Sequence, residues 1–443
     1  MVRSVLYDQS NTAFRMGTGI ATYARNLSVA ARGAGFTVDA LVSADVSVDP
    51  SNPVLSEVRL FSARREPAFP GLEIARDAVR GVVRAPFGYS PRFLPQAGVV
   101  IQTSGSLPDF DHTYVGKRLF DEARIHFAVH GRFARVRLPE PPALFHATYP
   151  LPVRVKGCPN IVTIHDLAPL RLPYMTLDSK RFYWRLVKRL VKEADHIVTV
   201  SEYSRNEIIS VLGAPADRVT NTYQAVTLPA RAIAQSDDEI ANLVSNLFEL
   251  DPGGYWLFVG ALEPKKNVRR LIDAYAASGS RRPLVIAGGK GWQNEAELER
   301  IRDPRFSNYR VYESTISRFE RVRRIEYLPA EQLVTLMRGA RALLFPSLLE
   351  GFGLPVLEAM TVGTPVMTSN STSLTEVAGE AALMVDPLDL GGLAAAIRRL
   401  DCDDGLCAEL SARGRAQAQK FSADAYQARV RDLYRSVLGR EPA

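Results

Sequence analysis

The sequence predicts an α/β fold with two Rossmann-like αβα domains that face each other across a cleft. Short apolar segments alternate with amphipathic stretches of helical periodicity, which is typical of βαβ units in parallel sheets. This alternation runs through the chain twice, and a polar stretch at about 228–236 separates the two series. The length of 443 residues is enough for two or three domains. We therefore expect an N-terminal domain over residues 1–229 and a C-terminal domain over 230–443, whose last helix can cross back to the N-terminal domain.

In the first series, each predicted strand is an apolar run that ends where polar or glycine residues begin. The stretch 45–140 is rich in Pro, Gly and Arg and gives only weak helical signals. Ser204 stands three residues before Glu207, and this spacing predicts a capping box in the first turns of a helix. The predicted elements are strands over 2–7, 36–42, 143–146, 160–165 and 196–201, and helices over 20–32, over 178–194 and from Ser201 onward.

In the second series the same alternation is clearer, because the apolar runs are bounded by Gly and Pro. The stretch 311–327 contains at least one strand, but the pattern does not fix its limits. Carboxyl ends of parallel strands meet at one edge of a sheet, so chemistry is expected just after the strands. The predicted elements are strands over 255–259, 283–287, 342–345 and 365–368, and helices over 267–277, 329–339, 353–361 and 388–400.

Composition narrows the class of protein. The chain is 46% hydrophobic and 23% charged, which excludes a disordered or collagen-like protein. A net charge of +7 permits contact with anionic surfaces but does not require it. Three cysteines are too few for a disulfide framework, and no apolar run approaches the ~20 residues of a membrane span. The first residues lack the apolar stretch of a signal peptide, so we expect a soluble cytoplasmic protein.

The strongest motif is the segment 346–360, which follows a predicted strand. Glu350 precedes Gly351, Phe352 and Gly353, and a helix begins near Leu354. The N–H groups and positive dipole end of that helix suit a phosphate. Glu350 and Glu358, on the loop and the helix, are good acceptors for sugar hydroxyls. The alternative interpretation is a surface loop with a capping acid.

Further candidates lie at or just after the ends of four predicted strands. Lys265 and Lys266 can neutralise a leaving diphosphate, although a pair of solvated lysines is the alternative. His165 follows another strand, where a structural histidine is the alternative, and His146 could lie in the core or in the cleft. Gly19 belongs to a Gly-x-Gly sequence, which is a weak signal because Thr22 occupies the place of the next glycine of a dinucleotide site.

Two other patterns carry less weight. Asp109 and Asp111 form an Asp-x-Asp sequence, a pattern that can hold a metal. The segment 287–291 has two adjacent glycines and a lysine but lacks the spacing of a P-loop, so it is expected to form at most a wall of a nucleotide pocket. No Cys/His cluster has the spacing of a zinc site. The lysine pair and the helix amides can stabilise a leaving diphosphate without a divalent ion, so we expect no metal and no cofactor.

These segments together resemble the retaining glycosyltransferases of family 4, which have the GT-B fold. The resemblance rests on Glu350, seven residues and Glu358, and it covers roughly half of the chain. It implies that Glu350 meets the donor sugar, that Glu358 meets the ribose and that the amides of the Gly-Phe-Gly loop hold sugar or phosphate. An Arg that family members often have before the lysine pair is missing. The matching segments are 17–23, 161–173, 194–208, 260–275 and 346–387.

The resemblance implies a retaining hexosyltransferase. We expect it to move a sugar from a nucleotide-diphosphate sugar, with GDP-mannose as the donor because the match is mannosyltransferase-like. The expected acceptor is a growing polysaccharide or a lipid-linked glycan, and no nucleic acid is expected. A sugar-nucleotide epimerase and a non-catalytic nucleotide or carbohydrate binder are the alternatives. The expected catalytic residues are His165, Lys266 and Glu350, and the expected donor-binding residues are Gly19, Lys265, Gly351, Phe352, Gly353, Leu354 and Glu358.

The segment 179–192 predicts a strongly amphipathic, basic helix. Its apolar residues recur at four-residue steps, and its basic residues fall on the opposite side. A core-packed helix with a solvated basic face is one interpretation. The other is weak, salt-sensitive contact with anionic lipid at the inner face of the membrane, worth ~1 kcal/mol per basic residue near the surface. The basic residues are Arg181, Arg185, Lys188 and Lys192.

Overall fold

The computed structural model describes residues 3–9, 19–46, 48–49, 51–62, 79, 82–83, 87–95, 110–177, 179–312 and 315–439. These residues form two layered α/β units, each around its own sheet. The first sheet is built from the first half of the chain and the second sheet from residues 256–385. Parallel sheets need helices on both faces, so buried strands of this kind are almost wholly apolar.

The N-terminal sheet has eight strands in the order β10-β9-β8-β6-β1-β2-β4-β3. All neighbours are parallel except β3, which runs antiparallel to β4 at one edge. A separate ribbon pairs β5 with β7 in parallel. The strands are β1 (Ser4–Asp8), β2 (Thr37–Ala44), β3 (Arg92–Leu94), β4 (His112–Lys117), β5 (Ala134–Val136), β6 (Leu144–Ala147), β7 (Val153–Val155), β8 (Asn160–Thr163), β9 (His196–Thr199) and β10 (Val219–Asn221).

The helices of this unit cover both faces of the sheet. Val5 and Leu6 are both buried, but they belong to core clusters on opposite faces, as the alternation of side chains along a strand requires. The helices are α1 (Gly19–Gly33), α2 (Pro53–Ser62), α3 (Leu119–His130), α4 (Ala168–Arg171), α5 (Lys180–Glu193) and α6 (Glu202–Leu212).

The C-terminal sheet has six parallel strands in the order β15-β12-β11-β16-β17-β18. An antiparallel hairpin of β13 and β14 precedes the edge strand. The hairpin and β15 supply the strands in the stretch 311–327, whose limits the sequence pattern does not fix. The strands are β11 (Trp256–Val259), β12 (Leu284–Ala287), β13 (Ser307–Tyr312), β14 (Thr315–Glu320), β15 (Val322–Ile325), β16 (Ala342–Phe345), β17 (Val366–Ser369) and β18 (Leu383–Val385).

The C-terminal helices begin with a short one in the polar stretch at 228–236. The guanidinium of Arg338 bonds to the carbonyl groups of Ala232 and Gln235, so this stretch packs on the second unit. The helices are α7 (Ala230–Ala234), α8 (Asp237–Phe248), α9 (Val268–Ser278), α10 (Glu295–Ile301), α11 (Ala330–Arg338), α12 (Leu354–Val362), α13 (Leu374–Ala378), α14 (Leu390–Cys402), α15 (Asp404–Ala418) and α16 (Ala423–Leu438).

The last helix, α16, packs against α1 at the start of the chain. The hydroxyl of Tyr434 lies 2.6 Å from that of Tyr7 in β1 and 2.8 Å from Nδ1 of His146 in β6. The other ring nitrogen of His146 lies 2.8 Å from Thr163 Oγ1, which in turn lies 2.8 Å from the hydroxyl of Tyr23. All five side chains are buried, so a continuous series of hydrogen bonds, shielded from water, joins α16 to the N-terminal core.

Candidate functional site

The carboxyl ends of β11 and β16 meet at the cleft, and their loops are bonded together. The carbonyl of Lys265 accepts from Ser347 Oγ at 3.0 Å and from the N–H of Leu348 at 2.8 Å. Asn267 has a φ of 62° and donates from its side chain to the carbonyl groups of Pro346 and Pro387. These bonds hold the segment that carries Glu350 at a fixed distance from the lysine pair.

A buried ion pair lies at the centre of this arrangement. Lys266 Nζ is 2.7 Å from Glu350 Oε1, and the two side chains are only 14% and 9% exposed. Burial raises the pKa of Glu350, but Lys266 and Lys265 outweigh burial and the net pKa is lowered. The ammonium also lies 5.1 Å from the ring centre of Phe345. Glu350 is therefore ionised at neutral pH and can accept hydrogen bonds.

Lys265 lies among carboxylates rather than in solvent. Its Nζ is 3.8 Å from Glu263 Oε2, and the first of the charges that raise its pKa is Asp166 of the N-terminal unit. Burial alone lowers the pKa of Lys265, but Asp166, Glu350 and Glu263 together reverse this effect. Burial raises the pKa of Glu263, whose Oε2 has no hydrogen-bond partner among the described residues. Sequence reasoning gave no role to Glu263 or Asp166, because a lone carboxylate beside a motif has no spacing that marks it.

Helix α12 begins at the Gly-Phe-Gly loop. Gly353 has a φ of 106°, and a Cβ there would lie 2.6 Å from Leu374 Cδ2, so the position requires glycine. Within the described residues no acceptor takes the N–H groups of Gly351, Phe352, Gly353 or Leu354. The Phe352 ring is buried against Tyr223 and Phe421, so only its backbone can contact a ligand. The loop therefore offers a set of backbone donors to an anion.

Glu358 lies in the second turn of α12 and is partly exposed. No hydrogen-bond partner of its carboxylate exists in the part of the chain that the structure describes. Burial of the carboxyl raises its pKa to about 7. Glu350 and Glu358 thus differ in protonation near neutral pH, because only Glu350 has a lysine beside it.

The N-terminal unit brings His165 to the same cleft. Its Nε2 lies 2.9 Å from the carbonyl of Thr148, which indicates the tautomer with the proton on Nε2, and its ring is 4.8 Å from that of Tyr23. Burial lowers the pKa of His165 although the Thr148 bond opposes this effect, so the ring is neutral at neutral pH. A Cβ on Gly351 would lie 2.8 Å from the carbonyl of His165, so only glycine allows this approach across the cleft.

Gly19 also faces the other unit, because a Cβ there would lie 3.7 Å from Leu354 Cδ1. Gly17 and Thr18 lie outside the described residues. The structure therefore places Gly19 and His165 of the N-terminal unit against the loop at 350–354 of the C-terminal unit. Lys265 and Lys266 lie beside this loop, and Glu358 lies one turn into the helix that follows it.

Other candidates serve the fold. His146 is fully buried with both ring nitrogens bonded, and burial lowers its pKa to about 3. Asp111 accepts from the N–H of Val38 and pairs with Arg32, whereas Asp109 lies outside the described residues. Gly288 is needed for packing, because a Cβ there would lie 1.9 Å from the carbonyl oxygen of Gly260.

Among the described residues, no group of three His, Cys, Asp or Glu side chains is arranged to hold a metal ion. No described helix is both long enough and apolar enough to cross a bilayer.

Two family models match the chain in succession. The model described as Glycosyltransferase Family 4 matches residues 96–228, and the model of group 1 glycosyl transferases matches residues 247–417. Together they include both sides of the cleft, apart from the loop at Gly19.

Curated relatives match about three fifths of the chain. The chain is 35% identical over 267 residues to O-antigen chain mannosyltransferase B of Escherichia coli, a match that covers 59% of this chain and 66% of that protein. It is 32% identical over 271 residues to the serotype-specific mannosyltransferase WbdA of Escherichia coli, which covers 59% and 32%. It is 30% identical over 294 residues to a D-inositol 3-phosphate glycosyltransferase of Acidothermus cellulolyticus, which covers 64% and 63%. The matched part thus spans 32–66% of the length of these relatives.

Solved structures match over nearly the whole chain. Sucrose-phosphate synthase from Thermosynechococcus elongatus superimposes with a TM-score of 0.65 at 18% identity, over 99% of both chains. Anabaena Alr3699/HepE, in complex with UDP and glucose, superimposes with a TM-score of 0.63 at 15% identity, over 98% of this chain and all of that one. At such identities the likeness establishes the fold.

Proposed function

We propose that this chain, which belongs to the family 4 glycosyltransferases with the GT-B fold, transfers a hexose from a nucleotide-diphosphate sugar to a glycan or lipid-linked acceptor. The single observation that carries the proposal is the Lys266–Glu350 pair beside the backbone amides at the start of α12, with His165 across the cleft. A cation and helix amides suit a diphosphate, and a buried carboxylate suits a sugar hydroxyl.

Each residue has a distinct part in the proposed reaction. Lys266 and the amides of the Gly-Phe-Gly loop stabilise the negative charge that grows on the leaving diphosphate. Glu350 accepts from hydroxyls of the donor sugar and keeps Lys266 in place. Glu358 accepts from the ribose. His165, which is neutral, offers Nδ1 as an acceptor beside the donor sugar, because its Nε2 is engaged with Thr148.

The stereochemical part of the proposal is retention of the anomeric configuration. We propose that the acceptor attacks the same face from which the diphosphate departs, so that the leaving phosphate oxygen takes the acceptor proton. The carbon–oxygen bond to the diphosphate breaks as the new glycosidic bond forms. The protein then needs no covalent nucleophile, and its contribution is charge stabilisation and positioning.

GDP-mannose is the donor that we propose, and the acceptor is proposed to be a glycan under construction. Two relatives that carry the name mannosyltransferase support this choice. An ammonium and helix amides at the diphosphate make a divalent cation unnecessary, so activity is expected to persist without one.

A donor panel tests the proposal. The protein is incubated with GDP-, UDP- and dTDP-sugars in excess EDTA, with and without a glycan acceptor, and the release of nucleoside diphosphate and the product anomer are measured. GDP-mannose should be consumed and its anomeric configuration kept, and Glu350→Ala should lower kcat/KM by ~10²-fold, about 2.7 kcal/mol. Conversion of the donor to another sugar nucleotide would indicate an epimerase. Binding without turnover would indicate a binding protein. A requirement for Mn²⁺ would contradict the proposal that the reaction needs no divalent cation.

We also propose weak contact between α5 and anionic lipid, at the cytoplasmic face of the membrane. Tyr183, Leu186 and other apolar residues of α5 are buried in the fold, so this contact involves no insertion of that face. Arg181, Arg189 and Lys192 are exposed on the outer side of the helix. The neighbouring apolar side chains Tyr174, Leu177 and Trp184 are 91%, 70% and 39% exposed and can rest on the headgroup layer.

A further inference from the structure

The N-terminus of α6 is capped from two sides. The first N–H groups of a helix have no partner within it and need other acceptors. Ser201 Oγ accepts from the N–H of Ser204 at 3.1 Å. The two preceding N–H groups, those of Glu202 and Tyr203, donate to the two oxygens of Glu376 at 2.8 and 2.9 Å. All three donors of this turn are therefore satisfied.

The Glu376 bonds cross the cleft. Glu376 lies on α13 of the C-terminal unit, whereas α6 follows β9 of the N-terminal unit. Burial raises the pKa of Glu376, and the amides of Glu202 and Tyr203, together with Tyr223 in the connection between the units, oppose this rise. A carboxylate at a helix N-terminus is stabilised by the helix dipole and by charge-assisted hydrogen bonds. The contact therefore favours the arrangement in which the two units are close.

The same short segment also holds the donor loop. Ser373 immediately precedes α13, and its Oγ lies 2.9 Å from the carbonyl of Glu350 and 3.0 Å from that of Phe352. Ser373 is fully buried, so these bonds are shielded from water. Residues 373–376 thus connect the N-terminus of α6 to the loop that approaches His165.

We propose that Glu376 is a positioning residue, which sets the alignment of the two halves of the active site by capping α6 across the cleft. The proposal rests on the proposed function for its kinetic consequence. Glu376 does not touch the substrate in this role. It raises the population of the closed arrangement, and a donor that binds this arrangement gains apparent affinity in proportion.

The direct test replaces Glu376 and follows the two amides. In Glu376→Ala, hydrogen exchange at Glu202 and Tyr203 should accelerate at least 10-fold, as measured by mass spectrometry on fragments from 201–212. The KM for the donor and the Kd for GDP should rise ~10-fold, while kcat changes less than 3-fold, because the chemistry is unchanged once the site is closed. Glu380→Ala, an exposed glutamate four residues later, is the matched control and should change neither quantity.

A second variant removes the donor instead of the acceptor. Proline is favoured at the first position of a helix, and Ser201 before it has φ −159° and ψ 157°, which proline tolerates in its neighbour. Glu202→Pro therefore deletes one N–H without disturbing the helix. In the protein that keeps Glu376, the donor KM of Glu202→Pro should be a few-fold higher than that of Glu202→Ala. In the Glu376→Ala background, the proline and alanine variants should be equal.

Two results would overturn the proposal. One is unchanged exchange at Glu202 and Tyr203 in Glu376→Ala, and the other is a proline effect that persists without Glu376. Hydrogen exchange needs no donor, so it tests the contact even if no sugar nucleotide is consumed. If no sugar nucleotide is turned over but exchange at Glu202 and Tyr203 is still faster in Glu376→Ala, the result contradicts the proposed reaction and supports the positioning contact.

Discussion

At the residue scale, Glu350 and Glu358 carry the same carboxyl group but have different neighbours. Glu350 has Lys266 at 2.7 Å, and its pKa is lowered, whereas burial raises the pKa of Glu358 to about 7 and no described residue forms an ion pair with it. One carboxylate is a permanent charge and the other titrates near neutral pH. This difference and the lysine pair give two predictions.

The first prediction distinguishes Lys266 from Lys265. Lys266→Met combined with Glu350→Gln leaves no unpaired buried charge and should weaken GDP binding 10- to 100-fold, about 1.4–2.7 kcal/mol. Guanosine binding should change less than 3-fold, because no phosphate is lost. Lys265→Met should have a smaller effect, since Lys265 lies among carboxylates. Calorimetry with both ligands is the measurement, and equal losses for GDP and guanosine would exclude Lys266 as a phosphate ligand.

The second prediction concerns Glu358 and pH. Because its folded pKa is above the ordinary value, the folded protein favours the neutral carboxyl, and this stability is lost as pH rises from about 4.5 through about 7. Glu358→Gln should therefore be more stable than wild type at pH 8, by on the order of 2 kcal/mol. At pH 5 the two should be nearly equal.

Urea denaturation at both pH values measures this difference. The same variant should bind GDP more weakly at pH 8, because an amide is a poorer acceptor for ribose hydroxyls than a carboxylate. An equal stability difference at pH 5 and pH 8 would show that Glu358 does not titrate in this range.

At the element scale, helix α5 separates its two roles by face. Five of its apolar side chains are buried, as the four-residue periodicity predicts. The basic side differs from the expected one. Lys188 donates to the carbonyl of Leu212, and Arg185 donates to that of Ala128 and stacks on Phe127, so both serve the fold. Arg189, which the sequence pattern did not single out, is exposed as Arg181, Arg185 and Lys192 are, and it pairs with Glu193.

The third prediction follows from this separation. Arg181→Gln, Arg189→Gln and Lys192→Gln together should reduce co-sedimentation with phosphatidylserine vesicles at low salt at least 5-fold, and binding should fade in high salt. Arg398→Gln, Arg399→Gln and Lys420→Gln remove the same charge from the C-terminal surface and form the control, in which binding should persist. Equal losses in both variants would mean that net charge alone, and not α5, attracts the lipid.

Most of the elements and the resemblance to family 4 could be predicted from the sequence, and the family and GT-B fold are confirmed. Strands with buried apolar runs, such as β11 and β16, are visible as local patterns, and the site lies just after them. The expected capping box at Ser204 and Glu207 is wrong, because Ser201 is the cap and Glu207 pairs with Arg171. Ser201 and Ser204 both stand near the start of α6, and only the backbone geometry shows which of them is the cap.

Contacts between distant segments could not be predicted. Glu376 lies 174 residues from the amide of Glu202, and nothing local marks it as a cap. The glycines at 288 and 291 look like a phosphate loop, but they are required by the close approach of neighbouring backbone at Gly260 and Leu262. In the stretch 45–140, β3 and β5 have only three residues each, which is too few for an alternating pattern to show in the sequence. The elements described there are α2, β3, β4, α3 and β5.

At the scale of the whole molecule, the C-terminal helix is part of the N-terminal core. The polar chain from Tyr7 through Tyr434 and His146 to Tyr23 is fully buried, so each group depends on its partner. A buried polar group that loses its partner is costly, whereas an exposed one is not. A change in the last helix should therefore affect the stability of the N-terminal sheet.

The fourth prediction is that Tyr434→Phe lowers the free energy of unfolding by about 1–3 kcal/mol, because the Tyr7 hydroxyl and His146 Nδ1 both lose a partner. The variant should also lower the protection of amides in β1 and β6, although the substituted residue is far along the chain. Chemical denaturation and hydrogen exchange measure the two effects. Tyr327→Phe, whose side chain is 62% exposed, is the control and should be neutral.

The junction of the first strand with the last helix also governs how the protein can be made. Tyr7 and Tyr434 are 427 positions apart, so the ribosome has built both units before the partner of Tyr7 exists. Until α16 is synthesised, the part of the N-terminal core that it covers remains exposed, and exposed apolar surfaces promote aggregation. The unit translated first is thus the last to be completed, and we expect nascent chains to depend on chaperones until the final helix is released.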